Sequence, residues 1–317
     1  MRLPSTTDAY VLAWRHLHKL PDAPVRGLFH AVADICWLLR LTGVRQLEAN
    51  LARLRPDLPP AAIRSLSRRG MRSYLRYFCE VFQLRGWSKE QTAARVRGVG
   101  HDLPRARLQE GTSAVLALGH NGNWDLAGAW ASQAVGPVLS VAEKLPDGLY
   151  EEFVSFRKSL GIEIIPVQAH STFRTLMRAA RTTPQIVPLL ADRDLTAGGA
   201  EVSIAGSPAR VAVGPGALAI AGNYDLFPVA VYYERLHGQR RRAAGSPWGT
   251  VVHFIPPVEL RDADGVKRSL PEVTQDWVDA LFAVVAQHPE DWHMLQKLFL
   301  ADLDPQRLAR ATGAEAS

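Results

Sequence analysis

Residues 113–125 read Ser-Ala-Val-Leu-Ala-Leu-Gly-His-Asn-Gly-Asn-Trp-Asp. The run 113–119 is apolar, too short for a helix and closed by Gly119, the pattern of a strand buried on both faces. His120 to Asn123 then turn the chain, and Asn123 suits the cap of a helix expected over 124–135. A strand feeding a helix through small polar residues is the repeating unit of a parallel α/β sheet. Such sheets bind ligands at the C-terminal ends of their strands.

Working outward, the alternation continues. Strands are expected at 138–142, 162–167 and 185–191, with helices at 149–160 and 171–181 between them. A β-rich stretch covers 201–213, followed by helix 214–222, strands 227–233 and 250–256, and a helix over 271–288. Upstream, 8–20, 25–42 and 59–84 read as helices. The second starts near Pro24 and carries Val25, Leu28, Phe29, Val32, Ile35, Cys36 and Leu39 on one apolar face flanked by Trp14, Trp37 and arginines. The expectation is a single α/β domain spanning 1–317, with a central, mostly parallel or mixed sheet flanked by helices. Residues 1–100 form a basic helical layer and possible membrane anchor, 101–300 the α/β core, and 305–317 a tail.

The 317 residues are 47% hydrophobic and 21% charged, which excludes collagen-like, disordered and disulfide-scaffold classes. Two cysteines, Cys36 and Cys79, give no zinc framework and fit a reducing compartment. Lys and Arg number 17 against 7 Asp and Glu in residues 1–100, but 20 against 24 thereafter. The early third therefore suits phosphates, and its wide apolar face suits an interfacial helix against anionic lipid better than a nucleic acid. The most hydrophobic stretch, 25–41, is interrupted by Arg26, His30, Asp34 and Arg40 and cannot span a bilayer as one helix.

There is no Walker A loop, no G-x-S-x-G elbow and no H-E-x-x-H pair, so nucleotide hydrolysis, nucleophile-elbow chemistry and a metal site are not indicated. His120 stands where a general base for a hydroxyl belongs. Asp125, five residues on, is one carboxylate able to hold its imidazole if the Asn-Gly-Asn turn bends the chain back. Asn123 and Asp125 equally suit ordinary capping of the following helix.

The segment His120–Asp125, of the form H-x4-D, resembles the bacterial lipid A lauroyl/myristoyl-type acyltransferases. The nearest branch is that of the phosphatidylinositol mannoside acyltransferases. Companion blocks run in order over roughly 10–300: RQLEANL at 45–51, YFCEVF at 77–82, FRKSLGIEIIPV at 156–167, LADRDL at 190–195, 205–229, and PEDWHMLQ at 289–296. The resemblance implies a glycerolipid-acyltransferase-like fold, peripheral at the cytoplasmic face of the inner membrane. It implies transfer of a fatty acyl chain, palmitoyl for this branch, from acyl-CoA to a mannose hydroxyl of phosphatidylinositol mannoside. No resident cofactor is implied. His120 would be the base, with Asp125 or Asp192 as its carboxylate partner and oxyanion donors near the 121–124 turn. Asn123, Trp124, Arg157, Arg193 and Arg210 would contact substrate, with Arg157 on phosphate, Arg193 on phosphate or Asp125, and Arg210 in a loop with Gly206, Gly214 and Gly216. The alternatives are a lipid A-type or glycerolipid acyltransferase, acting on lipid A precursor with an acyl-carrier-protein donor or on glycerol phosphate with CoA, and a protein that binds lipid without turnover.

Overall fold

The computed structural model describes residues 16–142, 149–167, 171–196 and 198–304. Seven strands form one sheet: β1 (Val96–Val99), β2 (Ala114–Leu118), β3 (Val138–Ala142), β4 (Ile162–Pro166), β5 (Ile186–Leu190), β8 (Asp225–Arg235) and β9 (Trp248–Phe254). Strands β6 (Gly199–Ile204) and β7 (Ser207–Ala212) form a separate antiparallel hairpin. The sheet order is β1-β9-β8-β2-β5-β3-β4. From β8 to β4 every pair is parallel, while β9 runs antiparallel to β8 and parallel to β1. The expected mostly parallel, mixed sheet is therefore present.

Strand β2 lies at the middle of this order and is buried throughout. Alternation sends Val115 and Ala117 to one face and Ala114, Leu116 and Leu118 to the other. On the first face lie α9 (Gly214–Gly222) and α11 (Leu270–Val285), whose Trp277 and Leu281 are fully buried. On the second face lie α3 (Pro60–Leu84) and α6 (Trp124–Ala134), through Tyr77, Phe82, Leu126 and Ala129. A capping box between Ser269 and Glu272 starts α11, with Pro271 in its first turn.

The N-terminal layer departs from the expected helices. Of 8–20, residues 8–15 lie outside the described residues, as does Trp14, and 17–19 form a short 3-10 turn. The expected helix 25–42 is present as α1 (Asp22–Leu38), ending four residues early, and α2 (Thr42–Leu54), bent from it by 81°, is a further helix that the expected elements did not include. Arg40 breaks the run at φ 49° between them. No described helix is long and apolar enough to cross a membrane alone. Residues 1–100 also do not form a purely helical layer, because β1 completes the sheet edge. Helices α4 (Lys89–Arg95), α5 (Asp102–Gln109) and α10 (Gly238–Ala244) were not legible from periodicity, being only 7, 8 and 7 residues long. The remaining connectors are α7 (Leu149–Ser159) and α8 (Thr172–Thr182). The tail from 305 lies outside the described residues.

Much of the basic excess in this layer is locally paired. Arg40 and Arg64 meet Glu48, Arg68 and Arg72 share Asp34, Arg53 meets Asp302 and Arg95 meets Asp22. The apolar face of α1 is split. Val25 and Ala33 are buried, whereas Leu28, Ile35, Leu38 and Leu39 are 54–67% exposed.

The turn after β2 depends on Gly122, at φ 59°, where a Cβ would lie 2.5 Å from the Val231 carbonyl oxygen on β8. Gly122→Ala is expected to cost about 1–3 kcal/mol, from left-handed strain alone, and to displace His120. A lowered denaturation midpoint together with an altered His120 resonance would register both effects.

Candidate active site

Parallel pairing of β2 with β5 sets Ala114 opposite Ile186 and Leu118 opposite Leu190. The same offset, carried two residues past the strand ends, brings His120 to Asp192. The Asp192 carboxylate is fully buried. Its Oδ1 lies 2.5 Å from His120 Nδ1, and its Oδ2 accepts the His120 backbone N–H at 2.9 Å and the Trp292 indole N–H at 3.0 Å. Burial alone would raise this carboxyl. The charge and hydrogen bonds of His120, joined by Trp292, outweigh it and hold Asp192 below the ordinary carboxylate value. Burial likewise opposes charge on His120, yet the adjacent carboxylate wins and raises its pKa above the usual imidazole value. An ionised Asp192 accepts a hydrogen bond from the His120 Nδ1–H, which leaves the Nε2 lone pair open. The His120 side chain is 38% exposed and borders a cavity of about 1440 Å³.

Asp125 is not the partner of His120. It is buried in the first turn of α6, where its Oδ2 accepts the Tyr77 hydroxyl and its Oδ1 accepts Arg157 Nε, both at 2.8 Å. Arg157 also lies 4.2 Å from the Phe153 ring centroid, so carboxylate and ring together aim one guanidinium at the cavity. Asn123 does not face substrate. It is fully buried, its Oδ1 caps Leu126 N–H at 2.9 Å and its Nδ2 donates to Glu80 at 2.8 Å. Trp124 does line the cavity, 4.0 Å from Tyr77 and 5.7 Å from His120 between ring centroids.

Arg193 lines the cavity but donates to the Lys297 carbonyl at 2.9 Å rather than to Asp125. Arg210 is corrected to a structural residue. It is 8% exposed, lies outside the cavity wall and donates to the carbonyls of Thr196 and Gly199, closing the loop before β6. Gly206 sits in the hairpin turn and Gly216 packs on Leu270 of α11, so neither forms a ligand loop. The 121–122 backbone amides are also committed, Asn121 N–H to Gly119 and Gly122 N–H to Asp291, both at 2.8 Å, and are not oxyanion donors.

Sequence reasoning missed the support beneath this turn. Residues 289–293 zip onto it: His293 N–H donates to the His120 carbonyl at 2.7 Å, and Asn121 bridges Trp292. Helix α3 contributes Ser73, Tyr77 and Glu80, spaced to share one face, to Asp291, Asp125 and Asn123 respectively. The available signal was the polar series Ser73, Arg76, Glu80, Gln83 in a helix otherwise able to bury its face.

The inner cavity wall is apolar. Leu116, Val138, Ile162, Ile186, Val229, Val252 and Phe254 cross the sheet beneath Ala127, Gly128 and Ala131 of α6. Among the described residues no serine or cysteine side chain is hydrogen-bonded to His120, and no cluster of metal-binding side chains occurs. Cys79 is buried, and burial with the charge of Glu80 pushes its thiol up to about 12.

The doubly flanked α/β sheet thus carries a histidine–carboxylate pair at the border of a largely apolar cavity. The chain belongs to the bacterial lipid A biosynthesis acyltransferase family, which matches residues 2–301. It is 36% identical over 307 residues to the phosphatidylinositol mannoside acyltransferase of Mycolicibacterium smegmatis, covering 96% of this chain and 95% of that one. It is 37% identical over 312 residues to the enzyme of the same name from Mycobacterium tuberculosis, covering 96% and 92%.

Because Asp192 raises the His120 pKa, activity that needs neutral His120 should climb with pH through a midpoint above the ordinary imidazole value. Asp192→Asn should move that midpoint to lower pH and reduce the plateau by roughly 10²–10⁴-fold. A pH–rate profile of both proteins, with His120 titrated by NMR, tests this directly.

Proposed function

We propose that this protein transfers a palmitoyl chain from acyl-CoA to a mannose hydroxyl of phosphatidylinositol mannoside, with His120 as general base. The observation that carries the reading is the open Nε2 of His120, fixed by Asp192 at the mouth of an apolar cavity. As the sugar oxygen attacks the thioester carbonyl, Nε2 takes its proton and a C–O bond forms. The C–S bond then breaks, and the imidazolium returns the proton to the departing thiolate. No covalent acyl-enzyme is needed, consistent with the lack of a serine or cysteine bonded to His120 among the described residues.

The apolar wall beneath α6 accommodates the acyl chain. Arg157, steadied by Asp125, and Arg193 meet phosphate of donor or acceptor, while Trp124 stands against the sugar. The mannoside acceptor is supported by the names of the two relatives.

The enzyme works as a peripheral protein at the cytoplasmic face of the plasma membrane, seated through α1. Leu28, Ile35, Leu38 and Leu39 form an exposed apolar face with Arg45 nearby for anionic headgroups. This extends the helix-face reading of the sequence to the exposed side of α1.

Thiol release from palmitoyl-CoA should depend on added phosphatidylinositol mannoside and fall by at least 10²-fold in His120→Ala. Release by the wild type that ignores the acceptor would instead identify a thioesterase. Replacing Leu28, Ile35 and Leu39 together by Ser should reduce co-flotation with anionic vesicles while thiol release in detergent persists. Undiminished flotation would remove α1 from the membrane contact.

A further inference from the structure

Two exposed apolar clusters flank the cavity from opposite faces of the sheet. On the second face α1 packs over α3 through Phe29 and Phe82, and a Cβ on Gly43, at the start of α2, would lie 3.2 Å from Leu295 of the cavity wall. The other cluster surrounds the start of α8. Val167, just after β4, and Leu190, at the end of β5, line the cavity yet are 42% and 38% exposed, and Phe173 on α8 is 44% exposed.

Helix α8 follows β4 and leads into β5. Both strands run in the direction of β2, so α8 begins at the end of the sheet that carries His120. Its inner side is buried in the first-face core through Leu176 and Ala180. Arg174, Arg178 and Arg181, spaced by four and three residues, form one exposed row on its outer side. With Phe173 and Met177 they border a groove of about 400 Å³. Among the described residues none of these three arginines meets a carboxylate. In the N-terminal layer, by contrast, Arg53, Arg64, Arg68, Arg72 and Arg95 are all paired.

Like charges at these spacings repel along a helix, so the row opposes the helix that carries it unless an anionic surface lies against it. An acidic protein would also answer the charge. The apolar rim decides between the two, because Val167, Phe173 and Leu190 lead from α8 to the cavity that receives the lipid chain, and an arginine row edged by a large apolar side chain is the pattern of an interfacial helix.

We propose that the outer side of α8 is a second membrane contact, in which Phe173 enters the headgroup boundary and Arg174, Arg178 and Arg181 meet the phosphates of anionic lipid. This inference rests on the reading of a lipid-using enzyme seated on a bilayer. The cavity is then held against the leaflet from both faces of the sheet, with the C-terminal strand ends toward the bilayer, and the acceptor reaches His120 directly from the leaflet.

A dicarbonyl reagent for arginine, with the modified residues mapped by mass spectrometry, tests this on the wild type. Arg174, Arg178 and Arg181 should react in the free protein and about tenfold or more slowly once phosphatidylinositol vesicles are added. Replacing all three by Gln keeps good helix formers. It should lower the partition coefficient on those vesicles by about 10²-fold at low salt, with thiol release from palmitoyl-CoA in detergent unchanged. Undiminished labelling on vesicles, or undiminished flotation of the Gln variant, would overturn this inference and leave the α1 seat and the acyltransferase standing. Flotation retained by that variant while transfer from an acyl-carrier-protein donor is lost would assign the face to an acidic protein instead. Failure of the wild type to bind phosphatidylinositol vesicles would overturn the membrane seat and this inference together. Vesicle protection of the three arginines without acceptor-dependent thiol release would strike the acyltransferase reading alone.

Discussion

The parallel register between β2 and β5 is the constraint on which the site rests. One offset, from Ala114–Ile186 to Leu118–Leu190, determines which residues leave the sheet side by side. A slip by one residue would turn Asp192 to the other side and bury an unpaired carboxylate, a cost of several kcal/mol for an isolated charge. Because both strands are apolar and covered on both faces, their register is strongly specified by packing. The core thus positions the acid, and the acid positions the imidazole.

A second constraint comes from α3. Its buried polar face reaches the Asp291 segment, Asp125 and Asn123 from successive turns. Glu80 is the most demanding member. Burial drives its pKa upward, and Asn123 and Tyr233 answer with hydrogen bonds at 2.8 and 3.1 Å. Such buried networks rigidify when every member is matched. Hydrogen bonds run from helix to turn to strap, so the turn that carries His120 is tied both to α3 and to residues 289–293.

The strands and helices from 113 to 222 were legible because their apolar runs are short, bounded and uniform, as in Ile186–Leu190. Element β1 escaped notice because Val96-Arg-Gly-Val99 carries a charge and a glycine and pairs only at the sheet edge. His120 could be found from its turn, but spacing along the chain could not separate Asp125 from Asp192. That choice is made by strand pairing across 72 positions. Arg210 attracted attention as a cation between glycines, yet its guanidinium satisfies loop carbonyls that only the folded hairpin brings together. Ser73 and His293 lie 220 positions apart, beyond the reach of any local pattern.

The strap at 289–293 has a consequence for how the protein is made. Strand β2, strand β5 and helix α3 all emerge from the ribosome before Asp291, Trp292 and His293 are translated. Until then the Asp192 carboxylate lacks its indole donor and Ser73 lacks both of its partners. A nascent chain therefore lacks these contacts until synthesis has passed residue 293 of 317. The order of synthesis itself delays the chemistry until the sheet that must contain it is complete.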